Sequence, residues 1–161
     1  MSLGQNPVRV LIVCLGNICR SPAGEAALKE AAASAGVGLE VESAGTGSWH
    51  IGERPDPQIR AAGERAGLAV EGRGRQVTGT ADLRDYDLIL AMDRSNLAAL
   101  QRLAPDLSDR MHLYRSFDPE ADGDEMPDPY GRTDATFDET IRLARSGARG
   151  IVSAIASGRL P

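Results

Sequence analysis

The feature that most constrains the fold is an apolar run, residues 8–14, that leads through a Gly-Asn loop into a Ser-Pro pair. A nearly continuous run of β-branched and aliphatic side chains is typical of a strand buried on both faces of a parallel sheet. Ser21 is a preferred helix N-cap and Pro22 is favoured at the first helical position, which predicts a helix over 22–35. The chain therefore passes from a buried strand through a tight loop, residues 15–20, into a helix.

The rest of the chain alternates strands and helices in the same way. Residues 39–43 alternate apolar and polar side chains, as a half-exposed edge strand does, and residues 88–91 and 111–114 are predicted as the third and fourth strands. Three more helices are predicted: one that begins at Asp56 and Pro57 and ends at Gly67, one that carries Leu97, Leu100 and Leu103 and ends before Pro105, and a long one over 137–155.

This alternation predicts the fold class. We expect an α/β fold, a single-domain doubly wound four-stranded parallel sheet flanked by helices, with the loop at 15–20 at its carboxyl edge. The 161 residues, 42% of them apolar, are enough for one core, and no internal repeat or linker divides the chain. We expect one domain over residues 1–161, with residues 1–6 as a flexible N-terminal segment.

Charge and hydropathy narrow the function classes. A net charge of −5 argues against nucleic acid or an anionic membrane as the main partner. No stretch approaches the ~20 apolar residues needed to span a bilayer, and the N-terminus lacks the apolar core and cleavage site of a secretory signal. We therefore expect a cytoplasmic protein, while export without a cleavable signal stays open.

The loop at 15–20 combines the groups that a phosphate-binding nucleophile needs. Its backbone N–H groups can turn inward as an anion cradle, with the positive end of the helix dipole behind them. Gly16 and Asn17 tolerate the left-handed backbone that such a cradle often requires. The same field favours a thiolate, so we expect Cys14 to be ionised at neutral pH and Arg20 to contact the phosphate. This pattern predicts a cysteine phosphatase; on the residues alone, Cys14 as a buried filler and Arg20 as a surface residue is the alternative.

A second chemical group is expected after the fourth strand, in the segment 116–131. Cleavage of a phosphoester is much faster when a carboxylic acid protonates the departing oxygen. Asp128 lies between two prolines, whose fixed φ angles would hold it on a stiff, projecting loop. Five other acids compete for this role, and one solvated acidic loop would explain all of them: Asp118, Glu120, Asp122, Asp124 and Glu125.

The spacing of the same acids matches a calcium-binding loop in part. Asp118, Glu120, Asp122 and Gly123 fall at positions one, three, five and six of that template. Position twelve, which should be a bidentate glutamate, is Pro129. We therefore predict no calcium site, no other metal and no cofactor.

Several segments carry a resemblance to a known family. Residues 14–22, Cys-Leu-Gly-Asn-Ile-Cys-Arg-Ser-Pro, match the phosphate loop of the low-molecular-weight protein tyrosine phosphatases, and Asp128-Pro129-Tyr130 matches their distal acid motif. The segments 43–46, 75–76 and 92–93 are also similar, so the resemblance covers nearly the whole chain. It implies hydrolysis of phosphotyrosine in proteins through a phosphocysteine intermediate, by a monomer or weak dimer whose partners are phosphotyrosine-containing proteins.

The resemblance also implies roles for single residues. Cys14 is the nucleophile, Arg20 clamps the phosphate and Asp128 is the general acid. The Ser21 hydroxyl donates to the thiolate, and Asn17 holds the loop in shape through Ser43. The implied phosphate-binding loop consists of Leu15, Gly16, Asn17, Ile18, Cys19, Arg20 and Ser21. Many members of the family have a histidine that supports the asparagine, whereas this chain has Gly72 at that position.

The substrate pocket and the second cysteine are further implications. Trp49 and Tyr130 would flank a phenyl ring, although ordinary packing is the alternative for both. Cys19 would form a reversible disulfide with Cys14, and a small residue filling the loop is an equal alternative. His50 is expected to shape the pocket rim, and His112 to be structural.

Three other functions are alternatives to a tyrosine phosphatase. Arsenate reductases of the same fold need cysteines beyond the loop, and this chain has two in all. Relatives that act on phosphoarginine tend to have threonine where this chain has Ile18. A non-catalytic module that binds phosphopeptides needs neither a nucleophile nor a distal acid.

Overall fold

Four parallel strands form one sheet, in the order β2-β1-β3-β4. The strands are β1 (Val8–Cys14), β2 (Leu39–Gly45), β3 (Leu88–Ala91) and β4 (Met111–Leu113). The computed structural model describes residues 7–160, so the flexible segment expected at 1–6 lies outside the described residues. The predicted fold class is confirmed, and β2 is an edge strand as its alternating pattern indicated.

Helices cover both faces of the sheet. They are α1 (Arg20–Ala35), α2 (Pro57–Arg65), α3 (Thr80–Leu83), α4 (Arg94–Leu103) and α5 (Asp134–Ala156), with 3-10 turns at Pro105–Arg110 and Tyr114–Phe117. The predicted cap of α2 is present, because the Asp56 carboxylate accepts a hydrogen bond from the backbone N–H of Gln58 at 2.8 Å. The short α3 and both 3-10 elements were not predicted, since elements of four to six residues carry little periodicity.

The central strand β1 divides the core. Val10 and Ile12 belong to the apolar cluster that contains α1 and α5 residues, whereas Leu11 and Val13 belong to the cluster that contains Leu100 of α4. Side chains on a strand alternate between faces, so the apolar run of β1 serves both layers. Among residues 7–160, no helix is long and apolar enough to cross a membrane.

The start of α1 differs from the prediction. The helix begins at Arg20, two residues earlier than expected, and its N-cap residue is Cys19 without a side-chain cap. Ser21, the predicted cap, lies inside the first turn, and its hydroxyl is 3.0 Å from the Cys14 sulfur. A tertiary contact to Cys14 has therefore replaced the local capping bond, and the first N–H groups of the helix stay free of that side chain.

Candidate active site

Cys14 ends β1 at the carboxyl edge of the sheet, where the flanking strands bring other groups close. Its side chain is buried, and its sulfur accepts a hydrogen bond from the backbone N–H of Asn17 at 3.3 Å. The Ser21 hydroxyl is the second polar contact of the sulfur, at 3.0 Å. Both groups point at the place where a thiolate charge would lie, within what we call the phosphate loop, residues 14–21.

Asn17 holds the phosphate loop together. It adopts a left-handed backbone with φ of 57°, which an asparagine tolerates better than most residues. Its side-chain amide donates to Ser21 Oγ at 2.8 Å and to Ser43 Oγ at 3.0 Å, and its carbonyl accepts from the backbone N–H of Arg75 at 2.9 Å. Gly45 passes close to this loop, since a Cβ there would lie 2.8 Å from the Leu15 carbonyl oxygen.

The direction of these hydrogen bonds is fixed by Glu25 on α1. Ser43 Oγ donates to a Glu25 carboxylate oxygen at 2.7 Å, so Ser43 accepts from the Asn17 amide. The same amide donates to Ser21 Oγ, so the Ser21 proton can go to the Cys14 sulfur at 3.0 Å, in preference to the more distant Ala44 carbonyl at 3.5 Å. The asparagine is therefore fully bonded without the family histidine, and Gly72, where that histidine was expected, is an exposed glycine with φ of 105°.

Arg20 is buried at the base of the site. Its Nη1 donates to Asp93 Oδ2 at 2.7 Å and to the Met126 carbonyl at 3.1 Å. Burial opposes the charge on the guanidinium, but the Cys14 sulfur and the nearby carboxylates outweigh it and raise the pKa of Arg20 above its ordinary value. Among the hydrogen bonds of the described residues, Arg20 uses only Nη1, so its Nε and Nη2 edge is available to an anion.

A cavity of about 370 Å³ opens over the phosphate loop. Its lining consists of Cys14, Leu15, Gly16, Ile18, Cys19, Arg20, Trp49, His50, Asp128 and Tyr130. Trp49 and Tyr130 are 67% and 58% exposed, so they form the rim and are not core residues. The ring of His50 also lies on this rim, where its Nδ1 is 3.1 Å from Glu53 Oε2.

Of the acidic side chains in the described segment 116–131, Asp128 alone lines the cavity. Its Oδ2 is 3.7 Å from Arg20 Nη2, and its Oδ1 accepts from the backbone N–H of Tyr130 at 3.1 Å. The side chain is 48% exposed. The reading of the whole segment as a solvated acidic loop is wrong for Asp118, which is buried and accepts from the backbone N–H of Glu120.

Cys19 lies in the same loop as the nucleophile candidate but in a different electrostatic setting. Burial raises the pKa of the Cys19 thiol well above its usual range, and the negative charges of Asp56 and Cys14 add to the shift. Cys19 is therefore a neutral thiol at neutral pH. Both cysteines are buried and free.

Three contacts of the site were not predicted from the sequence: Asp93 to Arg20, Glu25 to Ser43, and the Met126 carbonyl to Arg20. Asp93 had a usable signal, because it lies two residues after the end of β3 at the carboxyl edge and caps α4 by accepting from the backbone N–H of Asn96 at 2.7 Å. Glu25 is one of several helix acids, and a backbone carbonyl has no side-chain signature. Within residues 7–160, no cluster of histidine, cysteine and acidic side chains could hold a metal ion.

Comparisons with known proteins agree with this geometry. The family model described as low molecular weight phosphotyrosine protein phosphatase matches residues 9–159. A low molecular weight protein-tyrosine-phosphatase of Streptomyces coelicolor is 39% identical over 91% of this chain and 93% of its own length. YfkJ, a low molecular weight protein-tyrosine-phosphatase of Bacillus subtilis, is 36% identical to this chain over 92% of this chain and 96% of its own length.

Solved structures show the same likeness. The crystal structure of a protein tyrosine phosphatase from Entamoeba histolytica, with Hepes in its active site, superposes with a TM-score of 0.91 at 31% identity, covering 95% of this chain and 99% of that one. The fold is therefore that of a protein tyrosine phosphatase. The chain belongs to the low molecular weight phosphotyrosine protein phosphatase family, which confirms the resemblance and the expected enzyme class, a protein-tyrosine-phosphatase.

Proposed function

We propose that this enzyme hydrolyses phosphotyrosine in proteins through a phosphocysteine intermediate. The observation that carries the proposal is that Cys14, Arg20 and Asp128 line one cavity, with Asp128 Oδ2 3.7 Å from Arg20 Nη2. A nucleophile, a cation for the phosphoryl oxygens and an acid for the leaving group are the three parts that such a reaction needs.

In the first step, the Cys14 thiolate attacks phosphorus, so that an S–P bond forms as the bond to the tyrosine oxygen breaks. Asp128, protonated at this stage, gives its proton to the departing phenolate. The Nε and Nη2 edge of Arg20 binds two phosphoryl oxygens, and these contacts strengthen as negative charge spreads over them. Backbone N–H groups of residues 15–20 complete the cradle.

In the second step, water attacks the phosphocysteine and inorganic phosphate leaves. Asp128 is now ionised and accepts the proton of the attacking water. The Cys14 sulfur departs as a thiolate and is stabilised by the Ser21 hydroxyl, whose proton the Asn17 and Glu25 hydrogen bonds leave free for it.

The cavity walls support an aromatic substrate. Trp49 and Tyr130 offer apolar faces at the rim, and Leu15 adds an exposed aliphatic side chain beside them. A phenyl ring between these side chains carries its phosphate farther into the cavity than the short side chain of phosphoserine does. Ile18 favours the tyrosine branch of the family over the phosphoarginine branch. The expected cytoplasmic location and the monomeric or weakly dimeric state stay predictions.

We also propose that Cys19 protects the nucleophile. With peroxide as oxidant, the Cys14 thiolate becomes a sulfenic acid; the Cys19 sulfur then attacks it as the Cys19 thiol proton passes to the departing hydroxyl group, which leaves as water, and a disulfide forms. External thiol then reduces the disulfide and restores two thiols. Recovery of activity after mild peroxide should fall in Cys19→Ser; equal recovery in both proteins would leave Cys19 as a packing residue.

The decisive experiment is metal-free hydrolysis of p-nitrophenyl phosphate and a phosphotyrosine peptide, beside phosphoserine and phosphoarginine substrates. We expect turnover of the aryl phosphates alone, and none in Cys14→Ser. Preference for phosphoarginine would place the enzyme in the phosphoarginine branch of the family. Phosphopeptide binding without turnover would make the chain a recognition module, and arsenate reduction would indicate the reductase function.

A further inference from the structure

Arg115 is a buried arginine that the proposed chemistry does not use. It lies on the 3-10 turn after β4, and its side chain is 6% exposed. Its Nη1 donates to the backbone carbonyl of Glu125 at 2.5 Å, and its Nη2 is 3.7 Å from a carboxylate oxygen of Asp122. Among the described residues, no group accepts from its buried Nε.

This pairing is weak for a buried charge. A guanidinium removed from water is costly unless good hydrogen bonds and a close counter-charge compensate it. Here the carboxylate contact is long and Asp122 is fully exposed, so the ion pair contributes little. The one short bond of Arg115 goes to the Glu125 carbonyl, which suggests that holding this carbonyl is what the arginine does.

Glu125 and Met126 form the base of the acid loop, which we define as residues 118–131. The Met126 N–H donates to the Met92 carbonyl at 2.7 Å, and the Met126 carbonyl accepts from Arg20 Nη1 at 3.1 Å. The Glu125 side chain accepts from the backbone N–H of Arg94 at 2.8 Å. With the Arg115 bond, both residues of this base are fixed to the body of the protein.

Asp128 lies two residues beyond this base; its Oδ1 accepts a local hydrogen bond from the Tyr130 backbone N–H at 3.1 Å, and its Oδ2 makes a longer contact, 3.7 Å, with Arg20 Nη2. Pro127 and Pro129 restrict the backbone on either side, so the position of the base is transmitted to the Asp128 carboxyl group. We propose that Arg115 is a positioning residue that fixes the base of the acid loop and so directs Asp128 into the cavity. This inference rests on the proposed function of Asp128 as the general acid.

An anion site at Arg115 is the alternative, and the surrounding charges oppose it. The guanidinium lines an open cavity of about 490 Å³ beside the acid loop. Asp118, Asp122 and Asp124 line the same cavity, so an incoming anion meets three carboxylates and a single arginine. Internal support of the loop is therefore the better account.

The test compares leaving groups in Arg115→Met. An enzyme whose acid is misplaced loses rate mainly on substrates with a poor leaving group. We expect kcat/KM for a phosphotyrosine peptide, which reports the cleavage step, to fall about 10–100-fold, because small displacements of a catalytic group have effects of this order. With p-nitrophenyl phosphate, whose leaving group needs little protonation, we expect kcat/KM to fall by about 3-fold or less.

Arg145→Met is the matched control. Arg145 also donates to a backbone carbonyl, that of Ala66 at 2.7 Å, and pairs with a carboxylate, Glu30 at 2.9 Å, but it is outside the site. We expect this variant to treat both substrates alike. If Arg115→Met does not fold, as judged by circular dichroism, Arg115→Gln replaces it. In whichever variant folds, an equal loss of kcat/KM on both substrates overturns the positioning role.

A double-mutant cycle separates this inference from the proposed function. In an Asp128→Asn background, Arg115→Met should cause no further loss of kcat/KM, because its effect passes through Asp128. A further full loss there would show that Arg115 acts elsewhere and would overturn the inference. If Asp128→Asn alone shows no dependence on the leaving group, the acid assignment fails instead.

Discussion

The phosphate loop and the acid loop supply the two halves of the proposed reaction, but they are built differently. In the phosphate loop, Cys14, Asn17, Arg20 and Ser21 are all buried, and their side chains bond to one another or to the sheet edge. In the acid loop, Asp128 is half exposed, and the firm anchors lie at Glu125 and Met126.

This contrast indicates which groups of the site need to be oriented before the substrate binds. Groups that stabilise charge in the transition state act best when they are already oriented and shielded from water. A group that must lose and regain a proton in each turnover needs contact with solvent. For such a group it is enough that the neighbouring backbone is fixed.

Arg20→Ala should show the largest effect. It removes the proposed phosphoryl clamp and leaves the half-buried Asp93 carboxylate and the Met126 carbonyl without this donor. We expect kcat/KM to fall on the order of 10³–10⁵, the range for arginines that stabilise phosphoryl transfer. Steady-state kinetics and inhibition by inorganic phosphate measure it. Loss of turnover with unchanged phosphate inhibition would show that Arg20 does not bind the phosphate.

Asp128→Ala should lower kcat/KM on a phosphotyrosine peptide by about 10²–10⁴-fold, and less on p-nitrophenyl phosphate. Asp124→Ala is the control, because Asp124 lies on the same loop but pairs with Arg94 at 2.6 Å. Since Asp128 is half exposed, its loss should change the free energy of unfolding by less than about 0.5 kcal/mol. A phosphotyrosine rate equal to that of the natural sequence would refute the acid assignment.

Asn17→Ala should destabilise the protein more than either change in the acid loop. It removes three hydrogen bonds of about 1 kcal/mol each and places alanine at a left-handed φ. We expect a loss of about 2–4 kcal/mol in urea denaturation. Asn17→Gly should recover about 1 kcal/mol of this, because glycine accepts the same backbone. Equal losses in the two variants would mean that backbone conformation contributes nothing here.

The smallest effect concerns alkaline pH. Burial raises the pKa of Cys19 above its ordinary value of 9.0, so the folded protein holds this proton more tightly than the unfolded chain does. Stability from the neutral thiol is therefore fully present below pH 9 and is lost as pH rises above it. The free energy of unfolding should fall more steeply above pH 9 in the natural sequence than in Cys19→Ala. Parallel curves of unfolding free energy against pH for the two proteins would show that the pKa of the Cys19 thiol is not shifted.

The elements with strong local patterns were the ones that the sequence predicted well. The apolar run of β1, the Asp-Pro start of α2 and the long periodic α5 all depend on neighbours in the chain, so their patterns are visible there. The grouping of Cys14, Arg20 and Asp128 was also expected, because one edge of a parallel sheet collects the carboxyl ends of its strands.

Tertiary contacts account for what was missed. Ser21 follows every local rule for a helix cap, yet its hydroxyl is bound to the loop interior by Cys14 and Asn17. Glu25 is 18 positions from Ser43, and no spacing rule links the two. Arg115 contacts a backbone carbonyl, which any residue at position 125 would provide. Such contacts become visible only once the chain is folded.

The anchoring at Glu125 and Met126 has a consequence for how this enzyme could diversify. Because the acid is held from a point close to it in the chain, the outer part of the acid loop, residues 119–124, can lengthen, shorten or change charge without moving the carboxyl group. Sequence drift in that stretch would alter which protein surfaces fit beside the cavity while the chemistry inside it stays the same. With Asp128 as the proposed acid, the catalytic carboxyl group and the variable stretch beside it can then change independently within one short segment.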